Sequence, residues 1–363
     1  MAFKTGKNFS RLLAAVLAAV VLSGCAGRGT GSSSGNDDSS NIFAMGTVFN
    51  VRAIGDGAAD MVKSAEQTIY RNDELLSWRK EGSLPDIFNK EQSADMSPVK
   101  DLLTQTLQVC EDSGGALDIT VYPLSRLWKF DQMGEQDFDA SKMTVPSDAD
   151  IKKALDCVGY DRLSFDESSG MLRTEDPSVK IELGAVGKGY AIDQALVSLK
   201  ESGAKGGLVS AGSSIGLMGT KEDGSPFTVS LRDPRGSETD TLALLETTDC
   251  TISTSGDYER YFEKDGRRYC HILDPHSGYP ADSHLMQVTI ICDSGSLGDA
   301  LSTACFVLGL DKGMMLAKKY NVLAIFIDSD KNIWYNNADM ANMLKINNNA
   351  SSYTLREYNP ETQ

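Results

Sequence analysis

Hydrophobic and polar residues follow two periods along the chain, and together these predict a mixture of strands and helices. Residues 42–53 alternate as a strand does, with an interruption at Met45-Gly46-Thr47, and residues 60–76 have helical spacing. Another helix is expected to begin at Ser97-Pro98 and to end near residue 111. A short helix is expected at 146–157, with strands at 161–165, 171–174, 179–183, 207–211, 215–219, 227–232, 241–246 and 250–254.

The rest of the pattern completes this mixture. A polar loop is expected around 86–89, a strand-like stretch within 114–130, a hairpin at 258–272, buried strands at 287–292 and 322–327, and helices at 296–308 and 312–320. Residues 346–363 are polar and are expected to be frayed. Because strands and helices mix without regular βαβ alternation, the pattern favours an α+β fold.

The stretch 181–193, IELGAVGKGYAID, predicts a strand, a glycine-rich turn and a helix that runs from 188 to 201. Glycines let the backbone approach a ligand closely, and the first N–H groups of a helix lack internal partners. Together with the charge of Lys188, this arrangement suits a phosphate. A plain strand-to-helix turn with a solvated lysine is the alternative, and the glycine spacing matches neither a P-loop nor GxGxxG.

The N-terminus has the pattern of a targeting segment. Lys4, Lys7 and Arg11 precede an apolar run at 12–22 that is short for a bilayer span and typical of a signal peptide. The ending Leu22-Ser23-Gly24-Cys25 resembles a bacterial lipobox, which implies cleavage before Cys25 and lipidation of its thiol. An ordinary secretory signal with a chance cysteine is the alternative.

These features predict four parts: a signal peptide at 1–24, a flexible Gly/Ser/Asn/Asp tether at 25–40, a folded domain at 41–345 and a polar tail at 346–363. The lipid anchor would place the protein on the extracytoplasmic face of the cell membrane. Besides Cys25 the chain has six cysteines without a CxxC pair, and we expect them to be mostly free and buried.

The net charge of −16 excludes general nucleic-acid binding, which needs a basic surface. An anionic ligand would therefore have to be held by local groups, such as a metal ion, a lysine or backbone N–H groups. The expected helix 296–308 offers Asp299 and Thr303, four residues apart on one face. Such oxygen ligands suit Mg²⁺ or Ca²⁺. The alternative is an Asp favoured by the helix dipole and a core threonine.

Two other polar residues stand in unusual surroundings. Asp118 lies within an apolar stretch, where an unpaired carboxylate would be costly, so we expect it to have a partner. His271 is flanked by Cys270 and Ile272 and precedes a tight loop with Asp274-Pro275, although a lone histidine on a strand is more often structural than catalytic.

Taken together, these stretches resemble the ApbE-type flavin transferases over nearly all of residues 42–327. Each motif alone is weak, but six occur in order. They are Met45-Gly46-Thr47; the serine-aromatic segment 75–89; Ala116-Leu117-Asp118-Ile119-Thr120 with Pro123-Leu124 and Trp128; Glu182-Leu183-Gly184 with Lys188-Gly189-Tyr190 and Asp193; Ser255-Gly256-Asp257-Tyr258 with His271, Asp274-Pro275 and Gly278-Tyr279-Pro280; and Asp299-Ala300-Leu301-Ser302-Thr303.

The resemblance implies an α+β, T-fold-like architecture with two lobes around one ligand cleft. It also implies transfer of FMN from FAD to a threonine hydroxyl of an exported acceptor flavoprotein, with AMP released. Mg²⁺ would be held by Asp299, Thr303 and the backbone carbonyl of Ala185, and Lys188 would face the phosphates or the carboxylates. The acceptor would be the exported domain of a membrane redox-complex flavoprotein.

The flavin end would need apolar and aromatic surface with a few hydrogen bonds. The residues that match family positions or suit this role are Met45, Trp78, Ala116, Leu117, Asp118, Glu182 and Ile272. For Met45 and Trp78 core packing is the alternative, and for Asp118 and Glu182 a structural carboxylate. Among candidates for the base that accepts the threonine proton, His271 is the first and Asp257 the second.

The chain departs from the family pattern at two places. Gly212-Ser213-Ser214 stands where Gly-Gly-Asp or Gly-Gly-Asn is common, and His276-Ser277 replaces the common Arg/Lys-Thr before Gly278. The first departure is expected to alter a hydrogen bond near the ligand.

Two other functions remain open: a Mg²⁺-dependent FAD pyrophosphatase, in which water replaces threonine, and a flavin-binding lipoprotein without catalysis.

Overall fold

The structure is a computed structural model that describes residues 36–133, 138, 142–347 and 352–359. The signal peptide, Cys25 and most of the expected tether lie outside these residues. In chain order the strands are β1 (Asp37–Ala44), β2 (Thr47–Ile54), β3 (Ser93–Asp95), β4 (Ser164–Asp166), β5 (Met171–Arg173), β6 (Gly206–Ala211), β7 (Ser214–Gly219), β8 (Phe227–Arg232), β9 (Thr241–Thr247), β10 (Thr251–Gly256), β11 (Tyr261–Lys264), β12 (Arg267–Cys270), β13 (Leu285–Cys292), β14 (Leu323–Asp328), β15 (Asn332–Tyr335), β16 (Leu344–Ile346) and β17 (Thr354–Glu357).

The helices are α1 (Ala58–Leu76), α2 (Leu84–Glu91), α3 (Lys100–Asp112), α4 (Tyr122–Trp128), α5 (Asp148–Leu155), α6 (Gly187–Glu201), α7 (Gly295–Leu308), α8 (Leu310–Lys319) and α9 (Ala338–Met343). The main sheet has the order β1-β2-β6-β7-β10-β13-β14-β15-β17, and smaller sheets have the orders β16-β9-β8, β3-β5-β4 and β11-β12. Neighbours in the main sheet are antiparallel except β15 and β17.

The two faces of the main sheet are covered by different elements. Phe49 and Val51 of β2 join a core with residues of α1 and α6, whereas α7 packs against β10 and β13. On the opposite face, Leu217 of β7 joins a core with β8 and β9, including Leu231 and Leu245. Alternation along each strand therefore directs successive side chains to a helical layer or to a second sheet.

Helices α6 and α7 meet at a very close approach. A Cβ atom added to Gly189 would lie 2.0 Å from the carbonyl oxygen of Gly295, so only glycine fits there. Asp193 of α6 caps the start of α7, because its carboxylate accepts hydrogen bonds from the N–H groups of Gly295 (2.6 Å) and Ser296 (3.0 Å). This contact sets how far apart the two helix starts lie.

The expected α+β class is confirmed, and so are most of the elements. The interrupted strand 42–53 is the β1–β2 hairpin, and the hairpin 258–272 is β11–β12. The helices expected at 60–76, 188–201, 296–308 and 312–320 correspond to α1, α6, α7 and α8. Long apolar stripes and turn residues marked these elements clearly.

Both expected ends of the folded domain were wrong. The strand β1 begins at Asp37, within the predicted tether 25–40, and Asp37 both pairs with Ile54 and forms an ion pair with Arg52. At the other end, residues 354–357 of the predicted frayed tail form β17, which pairs with β15. In both places backbone hydrogen bonds hold polar residues that offer no apolar pattern.

Three internal expectations were also wrong. The loop expected at 86–89 belongs to α2, whose start is capped by Ser83 through the N–H of Asp86 at 3.2 Å. Residues 116–121 form turns rather than a strand. Residues 179–183 are extended but belong to no sheet, because the Asn89 side chain binds both the N–H (2.7 Å) and the C=O (2.9 Å) of Ile181. The Asn89 side chain thus makes the backbone hydrogen bonds that a neighbouring strand would otherwise make.

The cysteines of the described residues are all free, as expected. Cys110, Cys270 and Cys305 are buried, and Cys157, Cys250 and Cys292 are partly buried. Burial raises the pKa of the Cys110 and Cys270 thiols to about 12. These thiols therefore stay protonated and unreactive at neutral pH.

We expect Gly189→Ala to destabilise the protein by about 3 kcal/mol or more, because the added methyl group would overlap the Gly295 carbonyl. The free energy of unfolding from urea titration measures the effect. Gly184→Ala is the matched control, since its Cβ would meet nothing closer than 3.9 Å. Equal stabilities of the two variants would contradict the close approach of α6 and α7.

Candidate active site

Asp299 lies buried in the first turns of α7, where the two helix starts meet. Its Oδ2 accepts a hydrogen bond from the Gly189 N–H at 2.7 Å, and its Oδ1 accepts one from the Ser214 hydroxyl at 2.6 Å. The residue is only 5% exposed. A buried carboxylate needs such partners, and each oxygen keeps a second acceptor position that could face a cation.

The other two predicted metal ligands lie on the same pair of elements. Thr303 is one turn further along α7, with its hydroxyl 3.4 Å from that of Ser255. Ala185 precedes α6 by two residues and is partly buried. Within the described residues, no group of three or more His, Cys, Asp or Glu side chains is placed to hold a metal. Any cation at Asp299 would thus have at most two such side chains from the described residues, and its other ligands would be weaker oxygen atoms.

Lys188 is the second residue of α6 and stands at the start of that helix. Its ammonium group donates to the Gly184 carbonyl at 3.2 Å and remains partly exposed. Burial raises the pKa of Glu182 and of Glu259 and lowers that of His271, and the charge of Lys188 makes a smaller contribution that lowers each of the three. The lysine, the two acids and the histidine therefore lie close enough for the lysine charge to act on the other three.

The acids in this region are partly buried. Burial raises the pKa of Glu182, whose Oε1 accepts a hydrogen bond from the Ser125 hydroxyl at 2.9 Å. Burial also raises the pKa of Glu259, against the opposing effect of Arg232 and Arg260. Both acids thus lie where a ligand would change their protonation.

His271 directly follows β12 and turns an unpaired nitrogen into the protein. Its backbone N–H donates to the Arg260 carbonyl at 2.9 Å, but its buried Nδ1 has no hydrogen-bond partner among the described residues. Burial, assisted by the Arg260 and Lys188 cations, lowers the pKa of His271 to about 3. The imidazole is therefore neutral at physiological pH and available as a hydrogen-bond acceptor or donor.

Asp257, the second candidate base, forms an ion pair with Arg235. Both of its oxygens accept hydrogen bonds from Arg235, at 2.7 and 2.6 Å, and Arg268 lies 3.6 Å away. Accepting a substrate proton would require this bidentate ion pair to open. His271 remains the stronger candidate.

The predicted flavin contacts fall into two groups, of which the first stands at the rim of the site. Met45 occupies the β1–β2 turn, and its methyl group would lie 3.0 Å from a Cβ added at Gly187. Trp78 contacts Tyr122 edge-on at 5.3 Å, and the guanidinium groups of Arg79 and Arg126 each lie 5.1 Å from its ring centre. Cations thus already lie over the ring of Trp78.

The second group is packed inside the protein. Ala116, Leu117 and Ile272 are buried, with exposed fractions of 2%, 2% and 6%. The Asp118 carboxylate has the expected partners: it accepts hydrogen bonds from the N–H and hydroxyl of Thr120 (2.7 and 2.6 Å) and from the Tyr160 N–H (2.9 Å). Both oxygens of Asp118 are therefore bonded to neighbouring groups, and its contact with FAD stays a prediction.

A cavity of about 330 Å³ adjoins this region on the face of the main sheet that β8 and β9 cover. Its wall includes Gly212 and Ser213, next to the Ser214 that binds Asp299, and also Glu259. Apolar and polar side chains share the remaining wall: Ile215, Val229, Leu231, Arg232, Glu238, Asp240, Ile252, Thr254, Tyr258 and Gln287. The cavity is large enough for an aromatic ring system.

Several residues of this arrangement were not predicted. Ser214 was expected to alter a hydrogen bond near the ligand, but its direct contact with Asp299 was not predicted. Asp193 matched a motif without a role, and it caps α7. Glu259 gave a usable signal, since an acid close before the apolar strand residues Tyr261 and Phe262 indicates partial burial, and Glu259 is partly buried.

We expect the unfolding free energy to decrease as pH falls from about 6.5 to about 3, because unfolded His271 binds a proton that the folded state resists. Urea titrations across this range would measure the slope, and His271→Gln should reduce it. Carbon-13 chemical shifts of the imidazole, assigned by their loss in that variant, check the cause directly. A folded-state pKa near 6.5 would contradict the burial of His271.

Comparison with known proteins agrees with this geometry. The model of the ApbE family matches residues 45–327. The FAD:protein FMN transferase of Vibrio cholerae is 31% identical over 296 residues, covering 78% of this chain and 85% of the relative. That of Salmonella typhimurium is 31% identical over 292 residues, covering 78% and 81%.

Solved structures of ApbE proteins are also similar to this chain. The crystal structure of the ApbE protein from Thermotoga maritima has a TM-score of 0.72 and 28% identity, and covers 87% of this chain and 99% of that one. The apo flavinyl transferase ApbE of Pseudomonas stutzeri has a TM-score of 0.69 and 32% identity, covering 81% and 92%. The match spans the β1–β2 turn, both helix starts and the Asp299 site, and the chain belongs to the ApbE family.

Proposed function

We propose that this protein transfers FMN from FAD to a threonine hydroxyl of an exported acceptor protein through a phosphoester bond, with release of AMP and dependence on Mg²⁺. The coarser activity, FMN transfer from FAD to a protein, is that of its named relatives. One observation supports the finer proposal most: Asp299 is fixed by Gly189 and Ser214 beside the start of α6, where Lys188 stands. A cation, a lysine and helix N–H groups are what a pyrophosphate requires.

The oxygen atoms around Asp299 fit Mg²⁺. Mg²⁺ prefers few carboxylates, keeps several waters and is completed by substrate phosphates. Asp299, the Thr303 hydroxyl and the Ala185 carbonyl would provide such an incomplete set, and the described residues place no group of three or more His, Cys, Asp or Glu side chains to hold a metal. When bound, the ion supplies positive charge that offsets the charge of the phosphate oxygens.

The remaining binding groups follow from the position of the cavity. Lys188 and the N–H groups at the start of α6 would hold the phosphates. The neighbouring cavity, whose wall includes the Gly212 and Ser213 that directly precede Ser214, would take one of the two ring systems of FAD. Glu259, on the cavity wall and within range of Lys188, would orient the junction between rings and phosphates.

The transfer step forms one P–O bond and breaks another. The threonine oxygen attacks the phosphorus of the FMN part, a new P–O bond forms, and the P–O bond to AMP breaks with AMP keeping the bridging oxygen. The hydroxyl proton passes to the imidazole of His271. Burial is the main cause of the low pKa of His271, and bound pyrophosphate would offset the smaller contributions of the Arg260 and Lys188 cations and so raise that pKa.

The location of the protein is a further part of the proposal. Lipidation at Cys25 would anchor the chain at the extracytoplasmic face of the cell membrane, near the exported domains of membrane redox flavoproteins. No helix within the described residues is long and apolar enough to cross a bilayer. Cys25 itself lies outside those residues.

The decisive experiment uses soluble protein that lacks residues 1–25, mixed with FAD, Mg²⁺ and a flavin-free exported domain that carries a candidate acceptor threonine. Intact mass of the acceptor and release of AMP are measured together. We expect the acceptor to gain one FMN, and Asp299→Ala to abolish the gain. AMP without modified acceptor would favour the pyrophosphatase, and bound FAD without AMP would favour a binding protein.

We expect Ser214→Ala to weaken Mg²⁺ binding by about 10- to 100-fold, because the Asp299 carboxylate loses the hydroxyl that orients it. Calorimetric titration of Mg²⁺ into the FAD-bound protein measures this affinity. Ser213→Ala is the matched control, since the neighbouring Ser213 hydroxyl donates to the Thr254 carbonyl instead. Equal Mg²⁺ affinities for both variants would contradict the role of Ser214.

We expect His271→Ala to slow FMN transfer by about 10²- to 10⁴-fold while the dissociation constant of FAD stays nearly unchanged, since the imidazole acts on the proton. Single-turnover mass spectrometry gives the rate, and flavin fluorescence gives the affinity. A comparable loss of FAD binding would show that His271 serves binding rather than proton transfer.

A further inference from the structure

The strand β1 is an edge strand of unusual composition. It is the first strand of the nine-stranded sheet, and among the described residues no strand pairs with its outer side. From Ser39 to Val51 the β1–β2 hairpin has 13 residues without a charged side chain, in a chain that is 24% charged. Edge strands are normally protected against pairing by charged side chains, prolines, bulges or shortness.

None of these protections applies along this part of β1. The strand is eight residues long, and its pairing with β2 is regular from Asp37 opposite Ile54 to Ala44 opposite Thr47, without a bulge. The edge at the other end of the sheet differs: β17 has only four residues, two of which are Arg356 and Glu357. Within the described part of the chain, the β1 edge is therefore open to an added strand from Ser39 to Ala44, beyond the charged Asp37 and Asp38.

An exposed apolar pair lies on the same hairpin. Phe43 of β1 and Val48 of β2 are cross-strand partners, with exposed fractions of 69% and 37%. Asn41 and Asn50, the next outward pair, bind each other through their side chains at 3.0 Å. The outer face near the turn thus combines an apolar contact with uncharged polar groups, which is typical of the centre of a protein interface.

This surface is continuous with the active site. The turn between Phe43 and Val48 contains Met45, which packs against Gly187 at the start of α6, next to Lys188. Thr47, on the other side of the turn, lies 3.8 Å from a Cβ added at Gly212, two residues before the Ser214 that binds Asp299. A segment docked along β1 would leave the strand at this turn and reach the phosphate-binding groups directly.

We propose that the β1 edge, together with Phe43 and Val48, is the docking site for the acceptor protein, and that an extended segment of the acceptor pairs with β1. The inference rests on the proposed function, which requires a protein hydroxyl to reach the FAD phosphates. Backbone hydrogen bonds to β1 supply affinity, and an apolar acceptor side chain covers Phe43. The hydroxyl-bearing residue passes the Met45 turn and enters beside Lys188.

The test compares two β1 variants with one control. Phe43→Ser removes the apolar contact, and Asn41→Lys places a charge on the open edge. Leu355→Ser is the control, because Leu355 is an apolar residue of the other edge strand, β17, and is also 38% exposed. The probe is the flavin-free exported domain of a membrane redox flavoprotein with its acceptor threonine.

Both β1 variants should raise the KM for this domain by about tenfold, whereas kcat and the dissociation constant of FAD should stay within about twofold of the wild-type values. Leu355→Ser should leave all three unchanged. Amide hydrogen exchange, which needs no catalysis, should slow in β1 but not in β17 when the domain is added to the wild-type protein.

Each remaining result would overturn the inference. An unchanged KM and unchanged exchange in β1 would place docking elsewhere. Loss of FAD affinity in the variants would show damage to the site instead. A wild-type dimer that Phe43→Ser converts to a monomer in sedimentation would assign the edge to a second copy of the chain. Failure of the wild-type protein to modify the domain, with β1 still protected, would contradict the proposed function and leave docking supported.

Discussion

The close approach of α6 and α7 is the constraint on which the site depends. With glycine at 189 and 295, the backbones of the two helices nearly touch, and the Asp193 carboxylate binds the start of α7. The Gly189 N–H can then reach Asp299, which belongs to the other helix. The same contact that joins the two helices thus also fixes the carboxylate that the proposed metal would use.

Much of this arrangement was visible in the sequence, and the reasons are local. Glycine and lysine at 184–189, and Asp299 with Thr303 at helical spacing, were each recognised as a candidate binding group beside a plain structural alternative, because each set lies within a short stretch of sequence. The spacing of Asp118 and its neighbours predicted a buried carboxylate with partners, which was confirmed. The resemblance to a family then joined sets that periodicity alone could not bring together.

The parts that could not be predicted depend on contacts between distant segments. Ser214 meets Asp299 across 85 positions of sequence, and Asn89 replaces a strand for Ile181 across 92. The low pKa of His271 arises from burial and from cations on two other segments. The strands at both ends of the domain are held by backbone pairing, which leaves no pattern in polar residues.

The Asn89 contact has a consequence for the proposed metal site. Residues 179–183 are anchored by one amide side chain and by the hydrogen bond from the Glu182 N–H to the Ile119 carbonyl (2.8 Å), not by a ladder of strands. Val179, Ile181 and Leu183 of this segment are also buried, so core packing holds the segment that leads to Ala185 together with these hydrogen bonds. Because the bonds to Ile181 come from one side chain, loss of the Asn89 amide would leave two buried backbone groups unpaired beside the proposed metal site while every sheet keeps its own hydrogen bonds.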